Sequence, residues 1–479
     1  MYFFNFKKPE PQVGASDPSD PTRDEKERVQ PQSISHNPFQ TPPFATPIPS
    51  IRSKGPTSTA TSVNNGAGLP RRRFQSSRLI GEMDKPWLHS AKKSWNWDST
   101  IFYTGVSIAL MISAYICYDA VKDIPRNEYC LVMDDEFENL DNWSHEIQMN
   151  GFGTGSFDWT TNDAANSYVD AEGLHIVPTL TTQTTDITYE QILNGYTVNL
   201  TTDGTCTDRD QRTSNLVTSN PCGAVSNSTK GTIINPVRSA RLTTAGKKTI
   251  RYGRVEVQAK LPAGDWLWPA IWMMPQDNVY GDWPRSGEID IAESRGNDAE
   301  TYALGNNIVS SALHWGTTYS NDAYQKSYGE WGAKRTKYSD GYHTYGLEWS
   351  SKYLFMWLDG RLRQVVYFDF SKNTNLWTYG EFAYDTVNGT APTDPWSWTG
   401  RANTPFDQDF YLILNVAVGS TNGFFPDGVG NKPWTDGSDS PMRDFFLHNS
   451  TWLPSWGSEE SRSMIYFQFA DRYVAFRML

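Results

Sequence analysis

Cysteine and histidine are scarce in this chain: four Cys and seven His among 479 residues. So little cysteine excludes a disulfide-stapled scaffold, and neither residue type recurs at zinc-site spacing. No glycine-rich loop of the phosphate-cradling kind is present, and the basic residues from Arg71 to Lys93 suit a cytosolic membrane surface better than nucleic acid, so no nucleic-acid partner is expected. Helical periodicity with caps is missing from every long stretch, which argues against a helical bundle. Long apolar runs are also rare. One stands out, the 20 uncharged residues between Asp98 and Asp119, centred on Ile101 to Tyr118.

What is present divides the chain. The first seventy residues hold 12 of the 28 prolines, with Ser, Thr, Asn and Gly and no apolar period, so residues 1–98 are expected to be a disordered tail. Residues 99–118 are long enough for a transmembrane helix, and 119–130 form a linker. A buried core helix would not follow a disordered tail and precede a strand-rich region, and a cleaved signal peptide would lie nearer the N-terminus. Arg71, Arg72, Arg73, Arg78, Lys85, Lys92 and Lys93 precede the span, whereas acids dominate after it. Positive charge stays in the cytoplasm. The expected topology is a single-pass type II protein of the secretory pathway or plasma membrane, its large C-terminal part lumenal or extracellular.

Charge and modification signals agree with that orientation. Residues 1–100 carry 14 basic against 9 acidic side chains, a net of +5; with the whole chain at -12, the remainder carries -17. Five N-x-S/T sequons, at Asn142, Asn199, Asn227, Asn388 and Asn449, fall after the span. Cys117 lies in the span and Cys130 just beyond it, leaving Cys206 and Cys222 as the expected disulfide.

From residue 131 to 479 the pattern is strands. Thr249 to Leu261 alternates, Tyr353 to Leu358 runs into the Asp359-Gly360 turn and resumes, and Phe410, Leu412, Leu414 and Val416 alternate with their neighbours. The fold class is all-β, a two-sheet sandwich.

The chemistry concentrates in Gly287-Glu288-Ile289-Asp290-Ile291-Ala292-Glu293. Glu288 and Asp290 share a face of a strand, while Glu293 joins them only if a β-bulge near Ile291 or Ala292 inserts one residue. Three acids on one face then cannot all ionise cheaply, and Ile289, Ile291 and Ala292 point to the core. A carboxyl pair about 5 to 5.5 Å apart is the retaining arrangement of glycoside hydrolysis. Glu288 reads as nucleophile, Glu293 as acid/base, and Asp290 as the group that orients the first and keeps the second protonated.

The run Glu288 to Glu293, inside Trp283 to Asn297, resembles the E-x-D-x-x-E signature of glycoside hydrolase family 16 in its bulged, laminarinase-like form. Gly264 to Pro275 and Asn415 to Gly428 are similar to the β-1,3-glucanases and β-1,3-glucan-binding proteins of that family. The resemblance implies a concanavalin A-like β-jelly roll over 131–479, with β-glucan as the polysaccharide partner. It also admits a structural calcium held largely by backbone oxygens, which leaves no side-chain pattern, so no cofactor or metal is assigned.

Candidate sugar-binding residues follow from that reading. Trp268, Trp272, Trp283, Trp315 and Trp434 are candidate platforms for pyranose C–H faces, each equally readable as a core ring. His314 matches a family histidine near the acids, with a hydrogen-bonded core histidine as the other reading. Arg285 and Arg295 flank the acids, Asn415 resembles a cleft residue, and Glu348 reads as structural. Family members close with a strand like V-D-Y-V-R-V-Y; here Met464 to Ala470 intervenes, so an unusual last strand is expected. Two functions compete: a retaining endo-type hydrolase of β-1,3-glucan, with or without transfer to a second glucan, and a non-catalytic glucan-binding protein. Since binders of the family lack one or both glutamates, the enzyme is favoured. The anchored architecture is similar to fungal cell-wall proteins of the family implicated in β-1,6-glucan assembly, making wall remodelling the runner-up.

Overall fold

The computed structural model describes residues 80–89, 95–122, 128–208, 220–372, 375–384, 392–467 and 474–478. Most of the expected tail, part of the linker and the Asn388 sequon lie outside the described residues. The chain divides into two compact units, Met1–Ile124 and Pro125–Leu479.

In the first unit a helix runs from Trp97 to Lys122, 26 residues against the expected 20. Asp98 sits in its first turn, where a carboxylate complements the helix dipole, and the Thr100 hydroxyl donates to the Asn96 carbonyl at 3.1 Å. No proline interrupts it. Trp97–Asp119 is long and apolar enough to cross a membrane, and its Ile101, Phe102, Leu110, Ile112 and Ile116 are all exposed. At 1.5 Å per residue the helix reaches about 39 Å, beyond the ~30 Å of a bilayer's hydrocarbon core.

The second unit is a β-jelly-roll sandwich. Its front sheet has seven antiparallel strands in the order Tyr328–Gly332, Ile308–His314, Glu288–Glu293, Leu267–Pro275, Phe410–Val418, Arg241–Thr243, Ser144–His145. The back sheet runs Gly360–Asp369, Tyr353–Leu358, His343–Trp349, Gly253–Lys260, then Met464–Phe467, Gly173–Ile176 and Ser167–Asp170. Alternation explains the layers. Val255, Val257 and Ala259 are fully buried between half-exposed Arg254, Glu256 and Gln258, while Leu412, Leu414 and Val416 supply the facing layer. Each of these Val and Leu side chains removed from water contributes about 1.5–3 kcal/mol.

The chain end departs from a single closing strand. Met464–Phe467 pairs with the Lys260 end of Gly253–Lys260 and Val474–Met478 with its Gly253 end, both antiparallel. One strand position is therefore filled by two segments. Val474–Met478 also pairs with Cys130–Asp135, and Met464–Phe467 with Gly173–Ile176.

A smaller core of Ile147, Met149, Ile187, Ile192, Val198, Leu200, Ile233, Ile234 and Phe446 lies beside the sandwich. It carries the hairpin Thr197–Asn199/Gly223–Val225 and the Cys206–Cys222 disulfide, whose Cα atoms are 5.4 Å apart. Among the described residues of this unit the longest helix, Pro441–Leu447, has only 7 residues.

Candidate active site

The acid strand is the third strand of the front sheet, and its two neighbours reveal one extra residue. On one side Ile271 opposes Ala292 and Trp272 opposes Asp290, passing over Ile291; on the other, Asp290 opposes Ala312 and Glu293 opposes Ser310. That is a β-bulge at Ile291. It lets Ile289, Ile291 and Ala292 all enter the core while Glu288, Asp290 and Glu293 share the opposite face. Gly287 feeds the strand at φ +83°, and a Cβ there would meet Phe406 at 3.0 Å and Pro405 at 3.2 Å.

Each acid has its own partner. The Trp283 indole N–H donates to Glu288 Oε2, and the Trp268 indole N–H donates to Glu293 Oε1 at 2.9 Å. His314, directly across from Glu288, brings Nε2 to 3.1 Å from Asp290 Oδ2. The nearest polar atoms of Glu288, Asp290 and His314 lie within 4.8 Å of one another.

Crowding and burial set the protonation. Burial, then the neighbouring Asp290 carboxylate, push Glu288 up to about 8, while His314 and the Trp283 N–H pull the other way. Burial lifts Asp290 to about 6 against the pull of His314, with Glu293 adding to the rise. Burial also raises Glu293, opposed by His314 and the Trp268 bond. For His314, burial works against the imidazolium, but Asp290, Asp322 and Glu288 together outweigh it and hold the ring well above its usual range. The Glu288–Asp290 pair thus shares a proton near neutrality and titrates as a unit.

The register lays a polar row across the strands. Glu330 opposes Ser310, which opposes Glu293, followed by Ala270, Asn415 and Arg241. Five inter-strand steps make this floor about 24 Å wide. Asn415 accepts the Trp272 indole N–H at 2.7 Å. Trp268 stacks on Phe424 at 3.9 Å, and the same Phe424 ring carries the Arg295 guanidinium at 4.0 Å and Phe425 edge-on at 5.2 Å.

Not every expected residue is here. Trp315 is a correction: it is fully buried, stacks on Tyr379 and donates to Ser327 Oγ at 2.9 Å. Strand alternation requires this, since His314 faces the acids and its successor must face the core. Trp434 is a second correction. It is 2% exposed, wedged edge-on against Phe157 and Trp266, with its N–H on the Ser420 carbonyl. Arg285 is exposed and tied to the Thr317 carbonyl at 2.7 Å rather than to an acid. Arg295 bonds the Phe424 carbonyl through Nε at 3.0 Å and influences Glu293 only through space. Glu348 accepts from the Tyr353 hydroxyl in the back sheet.

Sequence reasoning missed Arg241, Phe152 and Asp322. Arg241 is ion-paired with Glu146 at 2.5 Å and lies between the rings of Phe152, at 4.0 Å, and Trp272, at 4.7 Å. Its signal was the register with Asn415, which needs the sheet order. Asp322 receives the His314 Nδ1 at 2.5 Å and sits in a turn with no motif of its own.

A jelly roll with three partnered acids on a bulged front-sheet strand, flanked by indoles, defines the class of sandwich proteins that handle polysaccharide. A model of glycosyl hydrolases family 16 matches residues 194–400. Over 361 residues the chain is 39% identical to a β-1,3-glucan-binding protein of Penaeus monodon, spanning 74% of this chain and 92% of that one. It is 36% identical over 214 residues to a glucan endo-1,3-β-glucosidase of Cryptopygus antarcticus, 43% of this chain and 63% of that one. The laminarinase structure from Rhodothermus marinus aligns with 74% of this chain and 99% of its own at 21% identity, with a TM-score of 0.42. The chain belongs to glycosyl hydrolase family 16.

Proposed function

We propose that the protein is a retaining endo-hydrolase of β-1,3-linked glucan. The observation that carries this is the presence of both glutamates and Asp290 on one face of the bulged strand, each with a hydrogen-bond or ionic partner. Glu288 attacks the anomeric carbon while Glu293 protonates the departing glycosidic oxygen; Glu293 then draws a proton from water, which releases the sugar from Glu288 with its configuration retained. Asp290 orients Glu288, which attacks once the proton that the two share has left the pair. A glucan hydroxyl in place of that water gives transglycosylation, the step a wall-remodelling role would use.

The other reading is glucan binding without turnover, favoured by the name of the Penaeus relative. Product profiles on laminarin, lichenan and pustulan separate the two. Cleavage of laminarin, abolished by Glu288→Gln and by Glu293→Gln with binding kept, is the expected result. Binding with no product on any of the three refutes the hydrolase.

We also propose that the Trp97–Lys122 helix anchors the protein as a type II membrane protein, its sequons glycosylated on the outer side. Its length, its exposed apolar surface and the flanking charge support this.

A further inference from the structure

We propose that Asp322 is a positioning residue that holds His314 as a fixed imidazolium against the Glu288–Asp290 pair, so that the readiness of the nucleophile is set from outside the acid strand. The inference rests on the hydrolase reading of that pair and deepens it.

His314 ends the strand Ile308–His314. Its two ring nitrogens each face a carboxylate oxygen: Nε2 is 3.1 Å from Asp290 Oδ2, and Nδ1 is 2.5 Å from Asp322 Oδ2. A neutral imidazole has one N–H, so it would set a lone pair against one of those oxygens; the doubly protonated ring serves both. The Asp290 contact is an ion pair rather than an aligned hydrogen bond, and Oδ2 has no other partner. The charge on that buried oxygen therefore leans on the His314 cation.

Asp322 is built to hold still. Its second oxygen receives the backbone N–H of Trp315 at 3.1 Å and of Tyr324 at 3.2 Å, and its side chain is only 8% exposed. Tyr324 stacks on the imidazole at 5.1 Å, and Trp283, the donor to Glu288, lies 5.8 Å from it on another side. The titratable groups around His314 are Glu288, Asp290 and Glu293 from the acid strand, and Tyr319, Asp322 and Tyr324 from the segment that follows its own strand. Asp322 is the one carboxylate among these that does not belong to the acid strand. Remove its charge and the ring can become neutral. The acid pair then keeps its shared proton to higher pH, and the ionised nucleophile appears later.

The test is Asp322→Asn in the full chain. The acid limb of the kcat/KM profile on laminarin is expected to move up by about one unit. Turnover near pH 5.5 falls about tenfold and recovers at higher pH, with KM within about twofold and Asp322→Glu restoring much of the loss. Independently of turnover, the His314 imidazole, assigned by the resonance that disappears in His314→Gln, is expected to stay charged through neutrality in the native chain and to lose its proton at lower pH in Asp322→Asn. A folded Asp322→Asn with an unmoved pH profile and an unmoved His314 titration overturns the proposal. Should Asp322→Asn not fold, the native His314 titration decides: a ring that is neutral at pH 7 overturns it as well. Should the native chain not cleave glucan while the His314 shift appears, the hydrolase reading fails and the Asp322–His314 coupling stands.

Discussion

At the scale of single residues, the acid cluster is placed against stability. A carboxyl whose folded pKa lies above its unfolded value binds more protons in the folded state between the two, so stability falls as pH rises through that window. For Glu288 the window runs from about 4.5 to about 8. Glu288→Gln removes this cost, and because Glu288 keeps some surface open to the cleft the gain at pH 7 is of order 1–2 kcal/mol. For a unit the size of Pro125–Leu479 that is a rise of about 1–3 °C in Tm. Calorimetry at pH 7 and pH 4 checks it: the variant should melt higher at pH 7, and the gap should close at pH 4. The tryptophans divide by the same logic. Trp268→Phe keeps the stacked ring on Phe424 but deletes the N–H that favours ionised Glu293, so the alkaline limb of the pH profile should shift upward with Tm little changed. Trp434→Ala opens a hole among Phe157, Trp266 and Phe445, and should cost about 3–5 kcal/mol of stability in a denaturant titration.

Among the elements, the bulge was the most legible feature, whereas at the chain end the interruption was legible and the pairing was not. An E-x-D-x-x-E spacing between Ile289, Ile291 and Ala292 cannot be satisfied by a regular pleat, so the sequence alone demands an extra residue near Ile291. The pairing Cys206–Cys222 was equally readable, because the other two cysteines lie in or beside the apolar helix. By contrast, a strand position shared between Met464–Phe467 and Val474–Met478 is decided by which strand lies alongside, and neither segment encodes that locally. Trp315 and Trp434 were misread for a related reason: composition places indoles near a glycan cleft, but only the register says which way each points. Arg241 and Asp322 act through contacts 95 and 8 residues away in sequence, to Glu146 and His314, and carry no motif. The disulfide yields a prediction at this scale. It closes a 16-residue separation beside a separate small core, so the Cys206→Ser/Cys222→Ser double variant should lose about 3 kcal/mol or less. The laminarin kinetics should be unchanged, since the acids are held by the front sheet and not by that hairpin. A fall in kcat equal to that of an acid-strand variant would show that the small core supports the cleft.

For the molecule as a whole, the division at Ile124/Pro125 separates a helix that buries none of its apolar window from a sandwich with its own continuous core. Units so divided fold on different terms: the second has enough buried apolar surface to be stable in water, whereas the first has exposed Ile, Leu and Phe that water disfavours. A chain starting at Pro125 should therefore be soluble, and its kcat/KM on laminarin should lie within about twofold of the full chain in detergent. The proposed type II topology carries its own prediction. On that reading the seven Lys and Arg of residues 71–93 stay in the cytosol and the sandwich is on the lumenal or outer side. Protease added outside sealed microsomes should then remove only the N-terminal tail, leaving a fragment of the sandwich's size that shortens further with an N-glycan-removing enzyme. The sequons should not contribute alike. Asn142 donates its side-chain N–H to Asp135 at 3.0 Å, so the nitrogen that would carry a glycan is already engaged, whereas Asn227 is held through its oxygen by Thr229 and Lys230. Asn227→Gln should therefore remove one glycan's mass and Asn142→Gln little or none. Digestion of the sandwich in intact vesicles, with the tail spared, would reverse the orientation.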